Sequence, residues 1–134
     1  LALVRAKVKR LSGRPLTGDG RLERKIRAAL PYTLTGAQEE AVKDIHADLG
    51  SAERMVRLLQ GDVGAGKTVV ALLAMARAAE AGGQSSLMAP TEILARQHAA
   101  TITPLAQAAG LSVAVLTGRA RWCFRHSATW MFRA

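Results

Sequence analysis

The chain has 134 residues, a hydrophobic fraction of 49% and a formal net charge of +9. This length suffices for one domain with a packed core, and a single cysteine, Cys123, excludes an internal disulfide framework. The longest apolar run, residues 69–76, is too short to span a bilayer, and the first ten residues lack the hydrophobic segment of a signal peptide. We therefore expect a cytoplasmic protein with no membrane partner.

The positive charge lies at the two ends of the chain. Residues 1–33 carry nine Lys and Arg against two acids, residues 34–118 carry six against eight, and residues 119–134 carry four against none. Basic segments of this kind favour a polyanionic partner, above all nucleic acid, through counterion release. A solvated basic helix face is the alternative interpretation of residues 1–33.

The N-terminal third predicts helices separated by a loop. Residues 1–10 and Arg21 to Leu30 have helical spacing, and the Gly- and Pro-rich residues 12–20 between them predict a loop. We interpret residues 1–33 as a basic helical linker. Thr35 then begins another helix with Gln38 at capping-box spacing, and its buried side is predicted to carry Val42, Ile45 and Leu49.

A complete GxxxxGK(S/T) phosphate-binding loop follows a predicted strand at residues 55–60 and precedes an Ala- and Leu-rich helix. It consists of Gly61, Asp62, Val63, Gly64, Ala65, Gly66, Lys67 and Thr68. The glycines allow the backbone to curve around a phosphate, and the loop amides and the helix N-terminus attract the anion. Lys67 is expected to reach the β- and γ-phosphates of a nucleoside triphosphate, and the Thr68 hydroxyl to bind Mg²⁺.

Beyond the loop, strands and helices alternate. Strands are predicted at residues 85–89 and 112–116, and Thr91 begins a helix between them. Pro104 is expected to end that helix and to start a shorter one that stops at Gly110. Alternation of this kind predicts a parallel α/β sheet, with residues 61–68 at the carboxyl end of its first strand.

Three ordered motifs give this sequence a specific resemblance. The first is Leu34-Thr35-Gly36-Ala37-Gln38, the second is Leu59-Gln60 followed by the phosphate-binding loop, and the third runs from Met88-Ala89-Pro90-Thr91-Glu92 to His98. Together they closely resemble the RecG family of superfamily 2 DNA helicases of bacteria. The transcription-repair coupling factors share the Gly-Asp-Val-Gly core, but Leu-Gln before it and Met-Ala-Pro-Thr-Glu after it are more similar to the RecG family.

The resemblance implies that residues 34–118 form part of a RecA-like ATP-binding lobe. It implies ATP with Mg²⁺ as ligands, Gln38 as a contact to adenine, and Pro90 with Thr91 as contacts to DNA phosphate. For Gln38 and Thr91, plain helix capping is the alternative role. Full-length members are ATP-driven translocases that act on branched or single-stranded DNA in repair and recombination, and no protein partner is predicted.

The carboxylate pair that such motors use in hydrolysis has no counterpart here. After Lys67 the only acids are Glu80 and Glu92, and no Asp-Glu pair follows an apolar strand. We therefore expect this chain to bind ATP without hydrolysing it alone.

Residues 119–134 form an atypical tail that contains four of the five aromatic residues and no acid. A frameshift or premature end of a longer gene is the favoured interpretation, and a nucleic-acid-binding tail is the alternative. The sequence is compatible with three functions: a fragment of a RecG-type helicase, a stand-alone nucleotide-binding module or adaptor, and an unrelated P-loop protein such as a small kinase. The DNA-motor motifs favour the first.

Overall fold

Four helices and three strands make up the part of the chain that can be described. The computed structural model describes residues 12–117 and the backbone of residues 128–133. In chain order the elements are α1 (Arg21–Ala29), α2 (Gly36–Leu49), α3 (Lys67–Glu80), β1 (Met88–Ala89), α4 (Glu92–Ala108), β2 (Ser112–Leu116) and β3 (Ala128–Arg133). The helix predicted at residues 1–10 lies outside the described residues.

The predicted start of α2 is confirmed in detail. The Thr35 hydroxyl accepts a hydrogen bond from the Gln38 amide at 3.3 Å, and the Thr35 amide donates to Gln38 Oε1 at 2.8 Å. This reciprocal pair satisfies two backbone donors that the helix itself leaves unpaired. Val42 and Ile45 are buried on one side of α2, as its spacing predicts, whereas the predicted Leu49 is only partly buried against the same core.

Helix α3, which follows the phosphate-binding loop, is the centre of the core. Eight of its residues are buried, because its sequence is apolar around most of its circumference and other helices cover it. Leu22 and Ile26 of α1 belong to the same buried cluster as Leu72 and Leu73 of α3. The boundary at residue 33 stays a prediction, but α1 shares its core with the helices that follow.

The sheet differs from the predicted parallel arrangement. Its strand order is β1-β3-β2, and both pairs are antiparallel, with Met88 opposite Thr129 and Ser112 opposite Arg133. Strand β2 has the predicted bounds, but β1 is shorter than predicted and residues 55–60 form no strand. Strands β1 and β2 still run in the same direction, because each is antiparallel to the strand between them. The prediction failed because apolar runs indicate extended backbone but do not specify its hydrogen-bonding partner.

Pro104 does not end a helix, contrary to the prediction. It lies inside α4, which continues to Ala108. Ile102 and Ala106, on either side of the proline, are both buried in the core. Their packing holds the helical path across a position that lacks an amide donor, so tertiary burial overrides the local preference.

Among the described residues, none of the helices has the length and apolar character needed to cross a bilayer.

Candidate nucleotide-binding site

The loop of residues 61–66 curves tightly into the N-terminus of α3. Gly64 and Gly66 have φ angles of 85° and 75°, which side-chain-bearing residues rarely adopt. The Ala65 amide donates to the Asp62 carbonyl at 3.1 Å and closes a turn within the loop. Among the described residues, the amides of Lys67 and Thr68 have no acceptor, so the first turn of α3 presents unpaired donors beside the loop.

Lys67 lies over the loop. Its ammonium donates hydrogen bonds to the carbonyl oxygens of Gly61 at 2.6 Å and Asp62 at 2.7 Å. An ammonium group has three donors, so one stays available to an anion. No carboxylate of the described chain forms a salt bridge with Lys67. The charge is therefore not neutralised by a neighbouring side chain.

Gln38 joins the first turn of α2 to the loop. Its Oε1 accepts the capping bond from Thr35, and its Nε2 donates to the Ala65 carbonyl at 2.9 Å. The approach requires glycine at position 66, because a Cβ atom built there would overlap Gln38 Nε2. The sequence predicted the cap but not the bond to Ala65, since a backbone carbonyl carries no residue-specific signal. The adenine contact stays a prediction.

An open cavity of about 350 Å³ lies between the first turn of α2 and the loop. Gln38, Gly61 and Lys67 are among its lining residues, and no acidic residue lines it. A larger depression of about 540 Å³, between α2 and residues 57–60, contains Glu40 and Asp44. Arg57 also lines this depression, but it is already ion-paired with Asp44 at 3.0 Å. The smaller cavity, which no acidic residue lines and in which Lys67 has no carboxylate partner within the described residues, is therefore the better candidate for an anionic ligand.

Thr68 is half-buried as the second residue of α3, next to Lys67. The predicted role of its hydroxyl toward Mg²⁺ stays a prediction. Among the described residues, no group of three or more His, Cys, Asp or Glu side chains could hold a metal ion by itself.

Pro90 and Thr91 connect β1 to α4 and are exposed. The Thr91 hydroxyl caps α4 by accepting a hydrogen bond from the Leu94 amide at 3.3 Å. The capping role is thus observed, and a contact to DNA stays a prediction. Glu92 is paired with Arg96 of the same helix at 2.7 Å.

Glu80 and Arg77 were not assigned a role by the sequence. Both side chains extend from α3 to the backbone around the start of α1. Arg77 donates a hydrogen bond to the Gly18 carbonyl, and Glu80 accepts hydrogen bonds from the Gly20 and Leu22 amides. One sequence signal indicates that α1 needs a cap from elsewhere in the chain: Gly20 precedes α1 and has no side chain to cap it.

The chain belongs to the DEAD/DEAH box helicase family, whose sequence profile matches residues 35–125. Within this family the chain is similar to proteins named ATP-dependent DNA helicase RecG, which confirms the predicted resemblance to the RecG family. The protein of Escherichia coli strain K12 is 45% identical over 116 residues, which cover 87% of this chain and 17% of that protein. The Bacillus subtilis protein is 52% identical over 89 residues, covering 66% of this chain and 13% of that protein.

A third relative, from Treponema pallidum, is 46% identical over 100 residues, which are 75% of this chain and 15% of that protein. The chain thus spans less than a fifth of the length of these relatives. No solved structure gives a significant match.

Proposed function

We propose that this chain is the ATP-binding part of a RecG-type DNA helicase, a branched-DNA translocase of repair and recombination, located in the bacterial cytoplasm. The observation that carries the proposal is the phosphate-binding loop, with Lys67 held over it and Gln38 joined to it. The relatives described above are named ATP-dependent DNA helicases, which supports DNA as the partner.

The residues present fit ATP with Mg²⁺. The positive-φ glycines leave the backbone free to curve around a phosphate, and the unpaired amides of Lys67 and Thr68 would donate to its oxygens. The third donor of Lys67 would neutralise charge on the terminal phosphates, and the Thr68 hydroxyl would bind Mg²⁺. Bound ATP-Mg supplies the phosphoryl group whose transfer to water drives motors of this class.

Gln38 keeps enough hydrogen-bonding capacity to read adenine as well as to cap α2. Its amide has two donor hydrogens and two acceptor lone pairs, and the two bonds made here use one of each. We propose that the remaining donor and acceptor contact one edge of the adenine ring. Capping and nucleotide recognition would then coexist in one side chain.

We infer that the chain does not hydrolyse ATP by itself. Motors of this class use a carboxylate to orient the attacking water and arginine to stabilise the transferred charge. Glu80 and Glu92, the two acids that follow the loop, are engaged with α1 and with Arg96. A second possibility is a nucleotide-binding module without motor activity. It rests on the same loop and differs from the first in that no second motor lobe would act with it.

A titration with a fluorescent ATP analogue and Mg²⁺ tests the proposed site. We expect Lys67→Ala to weaken binding by at least about tenfold, because it removes the one charge directed at the terminal phosphates. Lys43→Ala is the matched control, since Lys43 is an exposed lysine on α2. Equal affinity of wild type and Lys67→Ala would exclude Lys67 from the site.

A further inference from the structure

The outward side of α1 carries three cationic side chains, Arg21, Arg24 and Lys25, which we call the α1 basic face. All three residues are exposed, whereas Leu22 and Ile26 on the opposite side are buried in the core. Positions 21, 24 and 25 lie three and four residues apart, so their side chains share one side of the helix. In the described part of the chain, none of the three forms a salt bridge.

The acids near α1 neutralise this face only in part. Glu23 lies 2.8 Å from Arg27 of the same helix and 3.6 Å from His46 of α2. Asp19 is exposed and accepts a hydrogen bond from the Arg21 amide at 3.0 Å. That bond, and then the nearby charges of Arg21 and Arg24, hold the pKa of Asp19 below its ordinary value. Glu80 also lies at the N-terminus of α1, bound to the Gly20 and Leu22 amides. Three cations against the carboxylates of Asp19 and Glu80 leave a surplus of one positive charge.

Helix α1 is fixed to the far end of the helix that follows the phosphate-binding loop. Glu80 Oε2 accepts from the Gly20 amide at 3.0 Å, and Glu80 Oε1 accepts from the Leu22 amide. Arg77 Nη1 donates to the Gly18 carbonyl at 2.6 Å. A Cβ atom on Gly18 would overlap the Glu80 carboxylate, so glycine permits this close approach. The Glu80 side chain thus replaces the N-cap that Gly20 cannot provide.

We propose that the α1 basic face contacts the phosphate backbone of nucleic acid and that Glu80 is the residue that positions it. This inference rests on the proposed function and deepens it, because it assigns a DNA-contacting surface outside the motif of Pro90 and Thr91. Arginine suits phosphate through its planar set of donors. A continuous polyanion also gains from several neighbouring cations through counterion release.

A membrane surface fits this helix poorly. Interfacial helices insert an apolar side into the lipid, but the apolar side of α1 is already buried against α3. An acidic protein has charge but not the regular array of phosphates that arginine pairs with. Nucleic acid is therefore the partner that the exposed charges and the buried apolar side favour together.

Fluorescence anisotropy with a labelled duplex and a labelled single strand, between 50 and 200 mM salt, tests the face directly. In the variant Arg21→Gln/Arg24→Gln/Lys25→Gln, we expect weaker binding and a slope of log K against log salt reduced by about two to three. The control is Lys43→Gln/Arg54→Gln/Arg57→Gln, which removes the same charge from exposed positions elsewhere. Absence of DNA binding in the wild type, or equal losses in both variants, would overturn the proposal.

Glu80 supplies a second test in which charge and position predict opposite results. Glu80→Ala raises the net charge by one, so simple electrostatics predicts tighter DNA binding. We expect weaker binding, because α1 loses the group that holds its N-terminus, and partial recovery in Glu80→Gln, which keeps an acceptor oxygen. Equal or tighter binding by a folded Glu80→Ala would contradict the positioning role. If this variant is unfolded by circular dichroism, the triple variant decides the proposal.

Polyglutamate serves as a competitor to identify the class of partner. We expect polyglutamate to bind the protein much more weakly than DNA does. If polyglutamate binds as tightly as DNA, and the triple variant loses that binding too, the partner would be an acidic protein and not nucleic acid. The nucleotide titration described above is independent of these measurements. Absence of DNA binding by a wild-type protein that binds nucleotide would refute the α1 basic face alone, whereas absent nucleotide binding would refute the proposed function.

Discussion

The candidate site depends strongly on the backbone conformation of one residue, Gly66. It adopts a φ angle of 75°, caps α3, and leaves the space that Gln38 Nε2 needs to reach Ala65. An alanine in the left-handed region costs roughly 1–2 kcal/mol, and here its Cβ atom would also displace Gln38. The loop geometry and the bond between α2 and the loop would be lost together.

We therefore expect Gly66→Ala to lower the free energy of unfolding by about 1–2 kcal/mol and to abolish nucleotide binding. Gly36→Ala is the matched control, because a Cβ atom at Gly36 meets nothing within 4 Å and the residue is the first of α2. Chemical denaturation and the nucleotide titration measure both effects. A Gly66→Ala protein with unchanged stability and affinity would contradict the loop geometry described here.

At the scale of elements, α1 and α2 are joined by an ion pair that makes a pH-dependent contribution. Arg27 contacts the Glu39 carboxylate through two nitrogens, at 2.5 and 2.9 Å. This hydrogen bonding holds the pKa of Glu39 below its ordinary value of 4.5. Because the folded-state pKa is the lower one, the stabilisation is present above about pH 4.5 and is lost as the pH falls through the folded-state pKa.

Glu39→Gln should accordingly reduce stability by about 0.5 kcal/mol at pH 7, a small effect because both side chains are partly exposed. The difference from the wild type should shrink steadily below pH 4.5. Urea denaturation at several pH values measures it. Glu40→Gln, also exposed on α2, is the control, and a pH-independent difference for Glu39→Gln would show that the ion pair is not its source.

Replacement of the proline inside α4 is expected to stabilise the protein, whereas the substitutions above destabilise it. Pro104 is exposed and has no amide to donate, so the preceding turn of α4 lacks one hydrogen bond. We expect Pro104→Ala to raise the free energy of unfolding by about 1–2 kcal/mol, since restoring the bond outweighs the greater entropy of the unfolded chain. Thermal denaturation measures the change, with the exposed Gln107→Ala as control. A loss of stability would indicate that the helix depends on the proline.

For the whole molecule, the expected result is negative. The 134-residue chain should show no DNA-stimulated ATP hydrolysis, because Glu80 and Glu92 are committed to other contacts and the described chain offers no carboxylate placed to orient water. A phosphate-release assay with branched and single-stranded DNA tests this. Turnover above background that Lys67→Ala abolishes would show that the chain contains a complete catalytic set.

The sequence alone determined the features that depend on neighbouring residues. The capping box of Thr35 and Gln38, the start of α1 at Arg21 and the bounds of β2 could be predicted, and α1 ends one residue before the predicted Leu30. Their hydrogen bonds and backbone conformations form within a few residues, so residue type and spacing are sufficient. The family resemblance follows from the same short motifs.

The tertiary structure alone decided the contacts between distant residues. Gln38 bonds to a carbonyl 27 residues away, and Glu80 caps a helix whose first amides lie some 60 residues earlier in the chain. The central strand of the sheet comes from residues 128–133, which lie in the segment predicted to be an atypical tail. In each case the partner is a backbone group, and every residue except proline offers the same donor and acceptor. Local pattern therefore cannot identify the partner, and only the packing of the four helices around a shared core, with the sheet against α4, brings these groups together.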